Sequence, residues 1–115
     1  MKRGEVYWAL FEPRSGSEQH GLRPAIVMST DALNGRASWQ SIIVVPFSTS
    51  GAQARRGPTA VMLPPSITGL QSESVVLCHQ ITTLDRGKFR GRIGALDHAS
   101  LTRVEAGIRA ALDID

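Results

Sequence analysis

Apolar and polar positions change their period along the chain, and each change marks an element. Glu5-Val6-Tyr7-Trp8-Ala9-Leu10-Phe11 is aromatic-rich, has no helix-period gap and stops before Pro13, which predicts a first strand. Residues 14–21 (Arg-Ser-Gly-Ser-Glu-Gln-His-Gly) are polar and aperiodic, a loop that is long for so small a domain. Pro24 to Met28 predicts a second strand, and Asp31 is placed to cap a single helical turn that Gly35 ends. Gln40 to Val45 is a β-branched run expected to be buried on both faces, with Pro46 ending the strand or setting it at an edge. Ser48 to Pro58 reads as a second polar loop, and Thr59 to Leu63 as a short strand closed by Pro64-Pro65. Ser74 to Leu84 is the longest continuous strand candidate, and Arg92 to Leu96 is the last one. The period then becomes helical. Leu101, Val104, Ile108 and Leu112 form an apolar stripe with Arg103 and Arg109 off it, and Asp97 or Ser100 can cap the start. Five or six short strands and one terminal helix predict a small, curled, mostly antiparallel β-barrel.

Composition agrees with a single globular unit. A chain of 115 residues supports one core, and 42% hydrophobic with 20% charged residues is ordinary for a folded domain. The apolar stretch Ile42 to Phe47 is far too short to cross a bilayer, so no membrane partner is expected. Met1-Lys2-Arg3-Gly4-Glu5 lacks the apolar core of a secretory signal, and Cys78, the single cysteine, fits a reducing compartment. A soluble, cytoplasmic protein is expected. Charge is informative through its placement. Residues 1–58 carry seven Lys/Arg against four acids and residues 59–115 carry six of each, so the net +3 lies in the N-terminal half. Eleven of the 13 basic residues are arginine, whose rigid donor fork suits phosphate oxygens. A polyanionic partner fits this pattern, as does an ordinary solvated surface.

Several chemistries lack their residues. Cys78-His79 stand alone, without the cluster of ligands that zinc needs. His20, His79 and His98 form no recognisable pair motif, and the 14–21 loop lacks the Gly-Lys-Ser/Thr ending of a P-loop. No paired carboxylates mark a two-metal nuclease or a glycosidase, so neither metal nor cofactor is expected. What remains is a set of three features: the loop Gly16-Ser17-Glu18-Gln19, Arg23 at the mouth of the second strand, and Ser48-Thr49-Ser50 just past the buried run. If the second and third strands are neighbours in the right direction, a guanidinium, a carboxylate and a hydroxyl share one cleft. That set suits cleavage of a phosphodiester by the ribose 2′-OH, because arginine can stabilise the charge growing on phosphorus with two parallel donors. Arginine keeps its proton at neutral pH, so it is a poor base, and Glu18 either accepts the 2′-OH proton or orients Arg23. A surface Arg23–Glu18 pair and a turn shaped by residues 48–50 would account for the same residues without any chemistry.

In this order and spacing the motifs resemble a known family. Arg3-Gly4-Glu5-Val6-Tyr7-Trp8-Ala9, Gly16-Ser17-Glu18-Gln19, Arg23-Pro24-Ala25-Ile26-Val27 and Val44-Val45-Pro46-Phe47-Ser48-Thr49 are similar to the signature of the MazF/PemK toxins. The likeness continues through Gly69-Leu70, Ser74-Val75-Val76-Leu77, Gln80-Ile81, Thr83-Leu84-Asp85 and Ile93-Gly94. The resemblance implies an SH3-like β-barrel of the MazF/PemK/CcdB type, a homodimer, and a sequence-selective endoribonuclease held inactive by a cognate antitoxin that covers the RNA groove. It implies catalytic roles for Arg23, Ser48 and Glu18, with Ser48 where the family usually has threonine. It further implies RNA contacts from Ser17, Gln19, Thr49, His79 and Gln80, and products ending in 2′,3′-cyclic phosphate and 5′-hydroxyl. The chain departs from its relatives at His79-Gln80-Ile81-Thr82, where many carry Glu-Gln-Ile-Arg, so a charge pair is missing there. The related gyrase-poison toxins supply the alternative, a non-catalytic inhibitor of a protein target on the same barrel.

Overall fold

The computed structural model describes residues 1–49 and 51–115, and the side chains of all of these except Arg56. Among the described residues there are seven strands, where the sequence pattern predicts five or six: β1 (Glu5–Phe11), β2 (Gly21–Val27), β3 (Ser41–Ser48), β4 (Ala60–Leu63), β5 (Ser74–Leu77), β6 (Thr82–Asp85) and β7 (Phe89–Ala95). Two single-turn helices, α1 (Asp31–Asn34) and α2 (Pro65–Thr68), and the longer α3 (His98–Leu112) complete the chain. The strands run β4-β5-β3-β2-β1-β7, with β6 also on β3, and every pairing is antiparallel. The mostly-β architecture with a C-terminal helix is therefore as the hydrophobic pattern predicts.

The sheet curls into a barrel, but packing rather than a ladder brings its two ends together. Helix α2 leaves β4 and lies on β7. A Cβ on Gly69 would stand 3.0 Å from the Ile93 carbonyl oxygen, and one on Gly94 would stand 2.9 Å from that of Thr68. Gly69 also sits at φ 83°, the left-handed helix cap that suits glycine. Alternation along the central strands sorts side chains into two cores. Val6, Ile26, Val45 and Phe47 join Val61, Leu63, Val76 and Val104 in one. Ala9, Phe11, Ala25, Val27, Ile42, Val44 and Leu84 form the other, on the opposite face.

Four local expectations need correction. Thr30, not Asp31, caps α1, accepting from the Ala32 amide at 3.4 Å. The Asp31 carboxylate is engaged elsewhere, by the Arg3 amide at 2.7 Å and the Asn34 side-chain amide at 3.2 Å. Pro46 does not end its strand, because β3 continues to Ser48 and Pro46 pairs with Ala25. The polar stretch after Ser48 winds into 3-10 turns over Gly51–Thr59, kinked at Gly57 with φ 82°, and packs against α3. The long strand from Ser74 is broken. Val44 pairs with Thr82 and Phe47 with Val76, so Val45 and Pro46 face five residues, 77–81, and the excess folds into a 3-10 turn at Cys78–Gln80.

That break serves the packing of α3. The turn buries Cys78 beneath the helix, where its thiol donates to the Val104 carbonyl at 3.7 Å. The helix comes close because Gly107 faces the sulfur. Asp97 caps the helix by accepting from the Ser100 amide at 2.8 Å, as the sequence allows. Of the predicted stripe, Val104 is buried and Leu101 and Ile108 flank the core, whereas Leu112 runs past it and is 50% exposed.

Two measurements check this contact. A Cβ on Gly107 would meet the Cys78 sulfur at 2.6 Å, so Gly107→Ala is expected to destabilise the fold by about 1–3 kcal/mol despite alanine's better helix propensity. Combining it with Cys78→Ala, which removes the sulfur, should recover part of the loss in a denaturation cycle; strict additivity would refute the contact. Burial also pushes the Cys78 thiol up to about 11. The unfolded chain then loses this proton before the folded one does. The thiol's contribution is whole below its ordinary range near 9 and is lost as pH rises through about 11. Titration of native protein with a thiol reagent should accordingly be slow at pH 8.

Candidate active site

The site is built where the β2–β3 ladder opens. The last rungs are Val27↔Val44, Ile26↔Val45 and Ala25↔Pro46. Carried on by two residues, this register sets Arg23 opposite Ser48. Alternation also puts both on one face of the sheet, that of Ala25, Val27, Val44 and Pro46. Arg23 is exposed, Ser48 half-buried, and Thr49 exposed beside it. All three line a groove of about 580 Å³. The antiparallel direction thus brings the start of β2 to the end of β3, the condition on which the sequence argument rested. Ser50, the third member of the Ser48-Thr49-Ser50 cluster, lies outside the described residues.

Among the described residues Arg23 is tethered through one edge. Its Nε donates to the His20 carbonyl at 3.0 Å, which fixes the guanidinium plane against the loop before β2. The groove's other walls are largely apolar. Trp8 and Leu22, 39% and 52% exposed, stand on the opposite face of the strands from Arg23, with Leu70 and Ile93 beyond them. Exposed aromatic and aliphatic surface of this kind suits the faces of unpaired bases. Sequence reading treated Trp8 as strand alone. Alternation sets Trp8 on the face of Val6, and its exposure follows from pairing with Pro24, a register the sequence alone does not carry.

Glu18 is not in this groove. It lines a second cleft of about 220 Å³ with Gln19, His79 and Gln80. Its carboxylate is 3.9 Å from Arg14, and no Arg23–Glu18 pair forms. The expectation that guanidinium, hydroxyl and carboxylate occupy one cleft therefore holds for the first two only. The reason lies in the loop. A turn closed by the Glu18 amide on the Ser15 carbonyl at 3.3 Å carries residue 18 over to the side of β6, away from β2. The linings of the two cavities follow one another in the chain over residues 19–23 and 46–48. Gln19 and Pro46 line the second, while Leu22, Arg23, Phe47 and Ser48 line the first.

Gln80 holds that loop. Its Oε1 accepts from the Gln19 amide at 2.8 Å and its Nε2 donates to the Ser17 carbonyl at 3.2 Å. One side chain thereby clamps the backbone on both sides of Glu18, and the clamped segment leads directly to the carbonyl that orients Arg23. Ser17 is exposed with its carbonyl engaged, and His79 is exposed at the cleft wall. Arg14, unremarked in the sequence beyond its charge, also lines this cleft. Among the described residues no three His, Cys, Asp or Glu side chains converge as a metal would need.

A sequence model of the PemK-like, MazF-like toxins of type II toxin–antitoxin systems matches residues 2–112. The chain belongs to the PemK/MazF toxin family. The chain is 32% identical over 112 residues to Endoribonuclease EndoA of Bacillus subtilis, covering 97% of the chain and 94% of EndoA. Its fold superposes on the crystal structure of MazF from Deinococcus radiodurans with a TM-score of 0.80 at 28% identity, over 99% of this chain and 97% of that one. A crystal structure of MazE–MazF from the same organism matches with a TM-score of 0.74 at 27% identity, over 100% of this chain and 97% of that one. Within this PemK/MazF barrel, the loop clamp makes a direct expectation. Gln80→Ala should speed hydrogen exchange of the Gln19 amide by roughly fivefold or more, the worth of one lost hydrogen bond. Unchanged protection of Gln19 would show that Gln80 does not hold the loop.

Proposed function

We propose that this chain is the toxin of a type II toxin–antitoxin pair and cleaves single-stranded RNA without a metal ion. The observation that carries the reading is the register that sets Arg23 across from Ser48 at the open end of the β2–β3 ladder. A scissile phosphate lying between them meets a fixed positive charge on one side and an alcohol on the other. The ribose 2′-oxygen attacks phosphorus, the 2′-O–P bond forms and the P–O5′ bond breaks. The departing 5′-oxygen takes a proton from water, and the products end in 2′,3′-cyclic phosphate and 5′-hydroxyl. Two guanidinium N–H groups point at the non-bridging oxygens as negative charge gathers there, and the Ser48 hydroxyl donates a further bond.

Glu18 enters as the proton acceptor. Among the described residues it is the one carboxylate lining either cavity, is 54% exposed, and is held by a contact of 3.9 Å. In this reading the ribose rests on the wall at residues 19–23 and the exposed Glu18 side chain turns toward it. Thr49 and the apolar Trp8–Leu22 surface supply contacts to the neighbouring nucleotides on one side, and Gln19 and His79 on the other. Membership in a family of toxins of type II toxin–antitoxin systems supports a cognate antitoxin partner, and a homodimer acting in the cytoplasm completes this reading. Among the described residues no helix is long and apolar enough to cross a membrane.

Purified protein should cut single-stranded RNA in excess chelator and leave cyclic-phosphate 3′ ends. Arg23→Ala is expected to lower the rate about a hundredfold or more, and Ser48→Thr to keep most activity. Cleavage that appears only on adding a divalent metal, or that survives Arg23→Ala, would defeat the reading. Fragment end-mapping with chemical identification of the 3′ terminus decides it.

A further inference from the structure

Arg14 is the cation of the site that the cleavage scheme leaves without a task. It lines the second cleft with its side chain 20% exposed, and its Cζ lies 5.9 Å from the centroid of the Phe11 ring. Its Nη2 is 3.4 Å from the Thr82 hydroxyl, and its Nη1 is 3.9 Å from the Glu18 carboxylate. Both polar contacts are long. A guanidinium presents five N–H donors, and a full-strength bond to a carboxylate closes to about 2.7–2.9 Å. The ring and the β6 hydroxyl therefore hold Arg14 in place while its charge is only loosely answered. Its one ionic partner is the exposed residue that the cleavage scheme turns toward the ribose.

Placement says what this cation faces. The linings of the two cavities follow one another along the chain, Gln19 and Pro46 in this cleft and Leu22, Arg23, Phe47 and Ser48 in the Arg23 groove. A single strand seated with its scissile phosphate between Arg23 and Ser48 runs over these residues into the Arg14 cleft. The groups exposed there are backbone phosphates, and a half-buried cation between low-dielectric walls attracts them more strongly than a solvated one does. We propose that Arg14 grips a non-scissile phosphate of the bound strand, which makes the 220 Å³ cleft a subsite for the RNA backbone flanking the cut. The assignment rests on the ribonuclease reading.

The test is binding of a fluorescent single-stranded RNA carrying 2′-O-methyl groups throughout, which lacks the nucleophile, by anisotropy across a salt series. Each phosphate contact adds about 0.7 to the slope of log affinity against log salt for a single strand. Arg14→Ala is expected to flatten the slope by about that amount and to weaken low-salt binding about tenfold, while Arg14→Lys keeps the slope. An unaltered slope in Arg14→Ala overturns the proposal, whether or not the variant melts earlier. So does weakened antitoxin binding with the RNA slope intact, which would assign the cleft to a protein partner. Cleavage measured in parallel with Arg23→Ala separates the two ideas. Full cleavage by Arg23→Ala removes the ribonuclease scheme, whereas the salt slope speaks to Arg14 alone.

Discussion

Three rungs between β2 and β3 decide where the chemistry falls. Ala25↔Pro46, Ile26↔Val45 and Val27↔Val44 send Ala25, Val27 and Val44 into one core and Ile26 and Val45 into the other. A slip of one residue would turn one strand over relative to the other and send its side chains into the wrong core. It would also turn Arg23 and Ser48 to opposite faces. The same hydrophobic sorting that holds the barrel together therefore fixes the pairing of guanidinium and alcohol. The site needs no separate device to align its two main groups.

Rigid strands supply Arg23 and Ser48, while a loop supplies Glu18 and Arg14. The loop is anchored by the Gln80 amide on its backbone, and it returns the favour by holding Arg23 through the His20 carbonyl. Gln80 can do this because the strand from Ser74 breaks at Cys78–Gln80. The break in turn exists where Cys78 tucks under α3 against Gly107. A packing decision beneath the terminal helix is thus connected, through four residues, to the orientation of the Arg23 guanidinium.

Much of this was legible in the chain. The aromatic run of β1, the helical stripe centred on Val104 and the Asp97 cap are local signals, and local signals survive folding. The Arg23–Ser48 pairing was legible as a condition, since it needed only two neighbouring strands of known direction. What could not be read depended on contacts distant in sequence. The five-against-two mismatch that breaks the strand at Cys78 involves register with β3, and the separation of Glu18 from Arg23 follows from a turn within the loop. Arg14 looked like one surface charge among many until Phe11, Thr82 and Glu18 were seen around it. Leu112 kept the helical period yet lies beyond the reach of the core, because periodicity reports a face and not where the opposing surface stops.

The account stands on Arg23 and Ser48 acting on one phosphate. A double-mutant cycle in single-turnover cleavage measures that directly, using Arg23→Ala, Ser48→Ala and the combination. Groups that serve the same transition state are strongly non-additive, so the double variant should be scarcely slower than Arg23→Ala alone. Losses that multiply in full would mean the two residues act independently, and the shared phosphate would have to be abandoned.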